Sequence, residues 1–470
     1  MTINVLGVDY GASNGKGMIG SFDGKTLHMR EIHRFGNRPV SMHPGVYWDI
    51  LHLYSELFTC LELTRAAVPR LSSIGIDGWS QDFGILDPQG NLIGLPRCYR
   101  DPWTQEVSRE IIERISAEDL YLRTGRLPFH GNTLFQLAAL SKHAPSSVRE
   151  GNTLLFLPSL LSFWLSGRQG CDESLAAASL LYDSDNRQWN DHLLARIGIP
   201  DILPEVVPAG QASGKLRPDL ADALGMQPVQ VTTVAQHDTT SALLPVLADR
   251  PLDTVAIICG TWSIAAAVAE HRIPSLETFE SGFCVEPAFD ENTRLLTKYM
   301  SGMWILQECM KEWKNAGLPT DYAVLQRGAE DSEYSSLIPI EDEIFAAPGV
   351  MTSKIRAYCD ASGQRPPANP AETYRCIVHS IVRAYCEAVQ QLTRLTGRTI
   401  RRIQLIGGGS RDVYLCQTLK EASGLEVWAG PAESSALGNI LMQLASLGEI
   451  DLRRQRIQPL VAPFVNHVYN

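Results

Sequence analysis

The residues with the greatest chemical reach lie in Thr233-Val-Ala-Gln-His237-Asp238-Thr-Thr-Ser-Ala, where an apolar run ends on an acid beside an imidazole and small hydroxyl residues. An aspartate so placed is a candidate general base. The plain alternative is a helix N-cap with a hydrogen-bonded neighbour. Three other stretches join an apolar strand to a tight turn of the kind that phosphate handling needs. They are 3–16 with Asp9, Gly11, Ser13, Asn14, Gly15 and Lys16, 255–263 with Gly260, Thr261 and Ser263, and 403–410 with Gly407, Gly408, Gly409 and Ser410. Residues without a Cβ let successive backbone N–H groups point into one concavity and approach an anion closely. Ser13, Asn14 and Lys16 add donors and a positive charge, and Asp9 at the strand end is placed to hold a hydrated Mg²⁺. For each turn taken alone, a hairpin whose Gly and Asn merely satisfy turn geometry is the alternative. Neither the dinucleotide fingerprint nor the P-loop spacing is present.

The elements that must position these residues read as two similar halves. Ile3 to Val8 followed by Met18 to Phe22 forms one hairpin, and Val255 to Ile258 followed by Ile264 to Val268 forms another. A duplicated α/β fold is expected, with the crossing between halves in 242–253, where Pro251 breaks regularity. Ile377, Ile381, Tyr385, Val389 and Leu392 recur every fourth residue or so until Gly397, which predicts a helix with one buried stripe and a glycine stop. Arg402 to Ile406 reads as a buried strand leading into the triple glycine, and 320–370, the least patterned region, as a surface excursion. The expected division is 1–245 for the sugar and phosphate side, 252–450 for the nucleotide side, and a tail over 451–470.

Composition agrees with a soluble metabolic enzyme. A chain of 470 residues exceeds the size at which one core stops growing, so two domains are expected. The 41 Lys and Arg against 52 Asp and Glu give a formal charge of −11, which argues against nucleic acid or an anionic membrane as partner. Ten cysteines without a C-x-x-C pair or companion histidines point to a reduced, cytoplasmic protein, although Cys359 and Cys376 flank a proline-rich loop that a bridge could close. The N-terminus shows no basic lead with a cleavable apolar segment, and the most apolar stretches are interrupted by Pro158 or Gly260.

The four stretches in this order resemble the FGGY carbohydrate kinases, and within them the branch acting on L-rhamnulose. The likeness is carried also by Ser73-Ile-Gly-Ile-Asp77-Gly-Trp79-Ser-Gln-Asp82, Tyr99-Arg-Asp101, the segment from Gly131 to Gln136, Met303-Trp-Ile-Leu-Gln307, the run from Tyr358 to Ile377, and 429–440 ending in Gly-Asn439-Ile. It implies a two-domain duplicated fold of the ribonuclease H-like, actin and hexokinase type with a catalytic cleft between the halves. It further implies ATP and Mg²⁺ as cofactors, sugar and ATP as the only partners, and a monomer or homodimer. On matching residues it makes Asp238 the base and His237 a sugar contact, with Gly78, Trp79, Asp77 and Asp82 on the sugar side. Thr261 becomes a phosphate contact, Gln307 a nucleotide-side residue, and Gly408 with Gly409 the stretch facing adenine and ribose. Trp79 reads equally as a core aromatic and Asp77 as a turn cap. Six positions depart from the family pattern: Tyr299 replaces an asparagine, Arg411-Asp412 a Gln-Asn pair, Gly78 and Ser80 the Thr and Gly that flank the tryptophan, and Lys16 an arginine.

Two domains around a cleft suit sugar phosphorylation, because water competes with the sugar hydroxyl unless closure completes the site. The implied reaction is phosphorylation of the C1 hydroxyl of a ketose, L-rhamnulose first, with L-fuculose, L-ribulose, D-xylulose and polyols as alternatives. A sugar-sensing regulator would carry a DNA-reading module, for which no basic helical motif is present. A phosphatase using Asp9 as nucleophile would leave the Asp238 motif idle.

Overall fold

Continuous apolar runs such as Ile3–Tyr10 can be satisfied only by burial on both faces, and each becomes a central strand of a mixed sheet. The computed structural model describes residues 2–270, 274–289, 293–347 and 349–470. The chain divides into two units: Met1–Asp249 with Glu270–Leu295 and Ser435–Leu460, and Arg250–Ala269 with Leu296–Ser434 and Val461–Asn470.

In the first unit β1 (Ile3–Tyr10), β2 (Asn14–Phe22), β3 (Leu27–Gly36), β4 (Ser73–Gly78), β5 (Gln211–Lys215) and β6 (Gln230–Thr233) lie in the order β5-β6-β4-β1-β2-β3. β1 is antiparallel to β2 and parallel to β4, which is parallel to β6. Helix α1 (Ile50–Ala67) is capped by Asp49, whose carboxylate accepts from the His52 amide. Leu53 and Leu57 on α1 join Leu6, Val8, Ile74 and Ile76 in one core, each side chain contributing about 1.5–3 kcal/mol. Asp238 begins helix α2 (Asp238–Leu247), which runs through Pro245.

The second unit repeats the plan. β7 (Thr254–Cys259), β8 (Trp262–Glu270), β9 (Thr293–Ser301), β10 (Arg402–Ile406), β11 (Glu426–Ala429) and β12 (His467–Tyr469) run in the order β12-β11-β10-β7-β8-β9, with the short strand Cys284–Pro287 beyond β9 at the edge. β7 is antiparallel to β8 and parallel to β10, which is parallel to β11. The expected long helix is α3 (Pro370–Thr396), ended by Gly397 at φ +66, and β10 spans the residues anticipated for it.

Two features differ from the reading of the sequence, and a third closes a question it left open. Helix α4 (Ser434–Ser446) belongs from Ser435 onward to the first unit, whereas the sequence division ran the C-terminal half to residue 450. Glycines decide this: a Cβ on Gly20 would lie 2.5 Å from Ile440 Cγ2, and one on Gly438 would lie 1.8 Å from the Ser241 carbonyl oxygen. The region 320–370 is no surface excursion, since helices Tyr322–Glu330 and Met351–Ala361 bury Leu325, Ile355 and Cys359. Arg375 of α3 donates to the Tyr334 and Ala329 carbonyls and locks this region down. Cys359 and Cys376 are free thiols, so the bridge is absent.

Candidate active site

Strand register assembles the charged groups. Asp9 on β1 pairs in register with Lys16 on β2 and with Asp77 on β4, and residues opposite one another in a sheet share a face. Lys16 Nζ lies 3.2 Å from Asp9 Oδ2. Asp77 is fully buried, and its Oδ1 accepts from Asn439 Nδ2 on α4 at 2.5 Å. Gln443 holds that asparagine, its Nε2 donating to Asn439 Oδ1 at 2.7 Å and to the Leu6 carbonyl at 3.0 Å. The second oxygen of Asp77 has no hydrogen-bond partner. Burial, and then the Asp9 charge, push the Asp77 pKa well above the usual carboxylate range. Asp77 sits in the strand row rather than in a turn, so the turn-cap reading is set aside.

Asp238 is the first residue of α2 rather than its cap, and His237 at the cap position makes no side-chain capping bond. The segment before it is fixed from three sides. Gly78 N donates to the Gln236 carbonyl at 2.9 Å, and His237 N donates to Ser174 Oγ at 3.1 Å. The Gln236 side-chain oxygen accepts from Ser159 Oγ at 2.9 Å and from Asp172 N at 3.2 Å. Asp238 keeps 30% of its side chain open while its surroundings push its pKa up to about 7, through burial first and the Asp9 charge second. Thr239 and Lys16 oppose that rise. His237 Nε2 lies 3.6 Å from Asp238 Oδ1, too far for a hydrogen bond. Burial, then the Arg126 charge, pull the His237 pKa down to about 3, so the imidazole is neutral.

The hairpin turn between β1 and β2 is held by Asn37, whose Nδ2 donates to the Gly11 carbonyl at 2.9 Å while its amide reaches the Ser13 carbonyl at 3.1 Å. Ser13 and Asn14 are exposed at the tip. Gly11 needs to be glycine for space, since a Cβ there would lie 2.8 Å from the Asn14 carbonyl oxygen.

The tryptophan segment takes a different role from the one anticipated for Asp82. That carboxylate is fully buried, with Trp48 Nε1 at 2.6 Å and Trp79 Nε1 at 2.9 Å on Oδ2, and Gln136 Nε2 at 2.8 Å on Oδ1. Three neutral donors occupy it, so Asp82 orients the two indoles instead of presenting oxygens to a ligand. Its pKa rises to about 6 because burial outweighs those hydrogen bonds. Trp79 packs 4.3 Å from Trp48, its indole N–H satisfied by Asp82. Gln81 beside it accepts from Asn132 Nδ2 at 3.3 Å.

In the second unit, Thr261 Oγ1 donates to Gln307 Oε1 at 3.4 Å, so two separately expected residues meet. The Met303 amide, at the start of the helix Trp304–Asn315, donates to the Gly260 carbonyl at 2.8 Å. Gly407 has φ +82, and a Cβ on Gly409 would lie 2.1 Å from Cys259 Sγ, which brings the triple glycine against the end of β7. A Cβ on Gly408 would meet nothing within 4 Å. Asp412 is buried as a helix cap, accepting from Leu415 N at 3.1 Å, Tyr374 Oη at 2.8 Å and Gln326 Nε2 at 2.9 Å. Tyr299 lies part-buried on β9.

The profile of the FGGY family of carbohydrate kinases matches on both sides, the N-terminal domain over residues 4–245 and the C-terminal domain over 255–447. The chain belongs to the FGGY family of carbohydrate kinases. This FGGY kinase is an ATP-dependent enzyme acting on a sugar. It is 34% identical over 452 residues to a rhamnulokinase of Bacteroides thetaiotaomicron, covering 96% of this chain and 92% of that one. It is 31% identical to a rhamnulokinase of Halalkalibacterium halodurans, over 96% of this chain and 95% of that one. Among solved structures it is similar to gluconate kinase from Lactobacillus acidophilus (TM-score 0.80, 14% identity, 100% and 94% of the two chains). It is also similar to Plasmodium falciparum glycerol kinase with ADP (TM-score 0.75, 14% identity, 97% and 93%). At those identities the structures show the two-domain fold. Among the described residues no helix is long and apolar enough to cross a membrane.

Reading the sequence missed Asn439 and Gln443 as partners of Asp77, and Trp48 and Gln136 as partners of Asp82. The only sequence signal for Asn439 was its place in the Gly-Asn-Ile ending of the 429–440 stretch.

Proposed function

We propose that this kinase transfers the γ-phosphoryl group of ATP to the C1 hydroxyl of a ketose, with L-rhamnulose as substrate. The observation that carries the reading is Asp238 itself: a carboxyl with a pKa near 7, partly open, at the first turn of a helix and beside a neutral imidazole. A base works best when its pKa lies near the working pH, and phosphoryl transfer leaves the protein mainly to position donors and accept one proton. Asp238 accepts the proton of the attacking hydroxyl. His237 hydrogen-bonds a neighbouring sugar hydroxyl, and Gly78 and the face of Trp79 border the sugar. Gly11, Ser13, Asn14 and Lys16 hold phosphate in the first unit, while Thr261, Gln307, Gly408 and Gly409 serve ATP in the second.

The carboxylates fit a hydrated Mg²⁺. Among the described residues no group of side chains is dense enough to enclose a bare ion, yet Asp9 and Asp238 lie close enough for the charge of one to raise the pKa of the other. Such a pair can accept hydrogen bonds from an ion's water shell, with Asp9 the principal acceptor. The ion, when bound, neutralises phosphate charge. Substrate identity is supported by the rhamnulokinase relatives and by the His237 and Trp79 segments. The enzyme works in the cytoplasm as a monomer or homodimer, with sugar and ATP as its partners.

The test is ADP release with L-rhamnulose, L-fuculose, L-ribulose, D-xylulose and glycerol, compared as kcat/KM. L-Rhamnulose is expected to lead. A pentulose or polyol exceeding it by about tenfold, about 1.4 kcal/mol of transition-state preference, rejects the substrate and leaves the kinase assignment standing.

A further inference from the structure

The segment 274–289 belongs to the first unit although its strand Cys284–Pro287 is the edge strand of the second sheet. Three contacts tie it there. The Val285 amide donates to the Gly125 carbonyl at 2.8 Å, the Tyr121 hydroxyl donates to the Phe283 carbonyl at 2.6 Å, and the Tyr121 and Phe279 rings lie 5.3 Å apart. Little slack remains, for a Cβ on Gly125 would lie 2.3 Å from the Val285 carbonyl oxygen. The strand Cys284–Pro287 packs on the helix Glu173–Ala178, and that helix carries Ser174, the acceptor for the His237 amide.

Inside this contact lies an ion pair between Arg126 Nη1 and Glu286 Oε1, with side chains only 8% and 6% exposed. A buried pair returns little net stability, because desolvation of both charges offsets their attraction; its use is to favour one arrangement over others. Arg126 also acts on His237 directly, as the second cause, after burial, of its neutral state.

We propose that the Arg126–Glu286 pair is a specificity-determining positioning element for the sugar, fixing through the Ser174 helix where His237 presents its imidazole. The proposal rests on the reading of His237 as a sugar contact in a ketose kinase. It makes ketose selection depend on a segment that is inserted from the far side of the sequence division. A pocket that hydrogen-bonds particular hydroxyls discriminates strongly, so displacement of one donor changes the order of substrates rather than only the overall rate.

The experiment compares the parent with Arg126→Met, Arg126→Lys and Glu286→Gln on the same ketose panel, measuring KM for each ketose, KM for ATP, and kcat. Arg126→Met and Glu286→Gln are expected to raise KM for the preferred ketose by about tenfold or more and to reorder the panel. KM for ATP stays within about twofold, and Arg126→Lys, which keeps the charge but not the fork, recovers part of the loss. An unchanged panel order, or a loss falling equally on every ketose and on ATP, overturns the pair's role. Should Arg126→Met fail to fold, Glu286→Gln, which keeps the shape of the side chain, decides by the same criterion. A parent that phosphorylates no ketose overturns the underlying substrate reading instead.

Discussion

The two units share a strand plan and differ in what stands at the ends of the strands. At the end of β1 the row across the sheet is Lys16, Asp9 and Asp77, three ionisable side chains on one face. At the end of β7 the paired residues are Cys259 with Ser263 on one side and Ile258 with Ile406 on the other, with no charge among them. After the outer parallel strand, the first unit continues into His237 and Asp238. The second continues through Gly430 and Pro431 into α4, which from Ser435 onward belongs to the first unit and there supplies Asn439 to Asp77. One strand plan thus carries two kinds of strand end. Burial and the Asp9 charge raise the proton affinity of Asp238 in the first unit, whereas the glycine turns of the second unit leave stretches of backbone without side chains.

The sharpest way to break this contrast is to remove the base. Asp238→Asn is expected to lower kcat by on the order of a hundred- to ten-thousand-fold while KM for sugar changes little. Turnover within threefold of the parent in an ADP-release assay would reject the assignment. In the parent, kcat should fall as pH drops below about 7, because the proton then occupies the base. The linkage to stability has the opposite sense. Asp238 has a folded pKa raised from about 4 in the unfolded chain to about 7. Its favourable contribution is therefore complete below pH ~4 and is lost as pH rises through about 7. Asp238→Asn should accordingly melt higher than the parent at pH 8, with the difference shrinking at pH 5. A thermal melt at the two pH values reads this directly.

A smaller effect sharpens the glycine side. Gly409→Ala forces a Cβ to within 2.1 Å of Cys259 Sγ and should destabilise the fold by roughly 1–3 kcal/mol. Gly408→Ala meets nothing within 4 Å and should melt like the parent, yet raise KM for ATP if that surface faces adenine. Equal melting temperatures for the two variants would refute the packing argument.

A change of comparable size concerns the strut between α4 and β4. Asn439→Ala removes the donor to Asp77 and should cost about 1–3 kcal/mol, read as a lower denaturation midpoint with an unchanged slope. A midpoint equal to the parent's would show that Asp77 does not rely on Asn439.

What the sequence determined by itself was whatever depends on neighbours in the chain. The hairpins around Gly11 and Gly260, the helix stopped by Gly397, and Asp238 at the close of an apolar run were legible because turn chemistry, hydrophobic period and strand length are local properties. Tertiary structure decided the rest. Asp77 and Asn439 are separated by 362 positions, and Trp48 and Asp82 by 34, so no spacing rule joins them. Asp82 reads as a ligand-facing acid until two indole N–H groups and an amide are seen to occupy it. Helix α4 reads as part of the second half until close approach at Gly20 and Gly438 places it in the first unit. A buried carboxylate takes its role from the donors that surround it, and those donors are gathered only when distant segments pack.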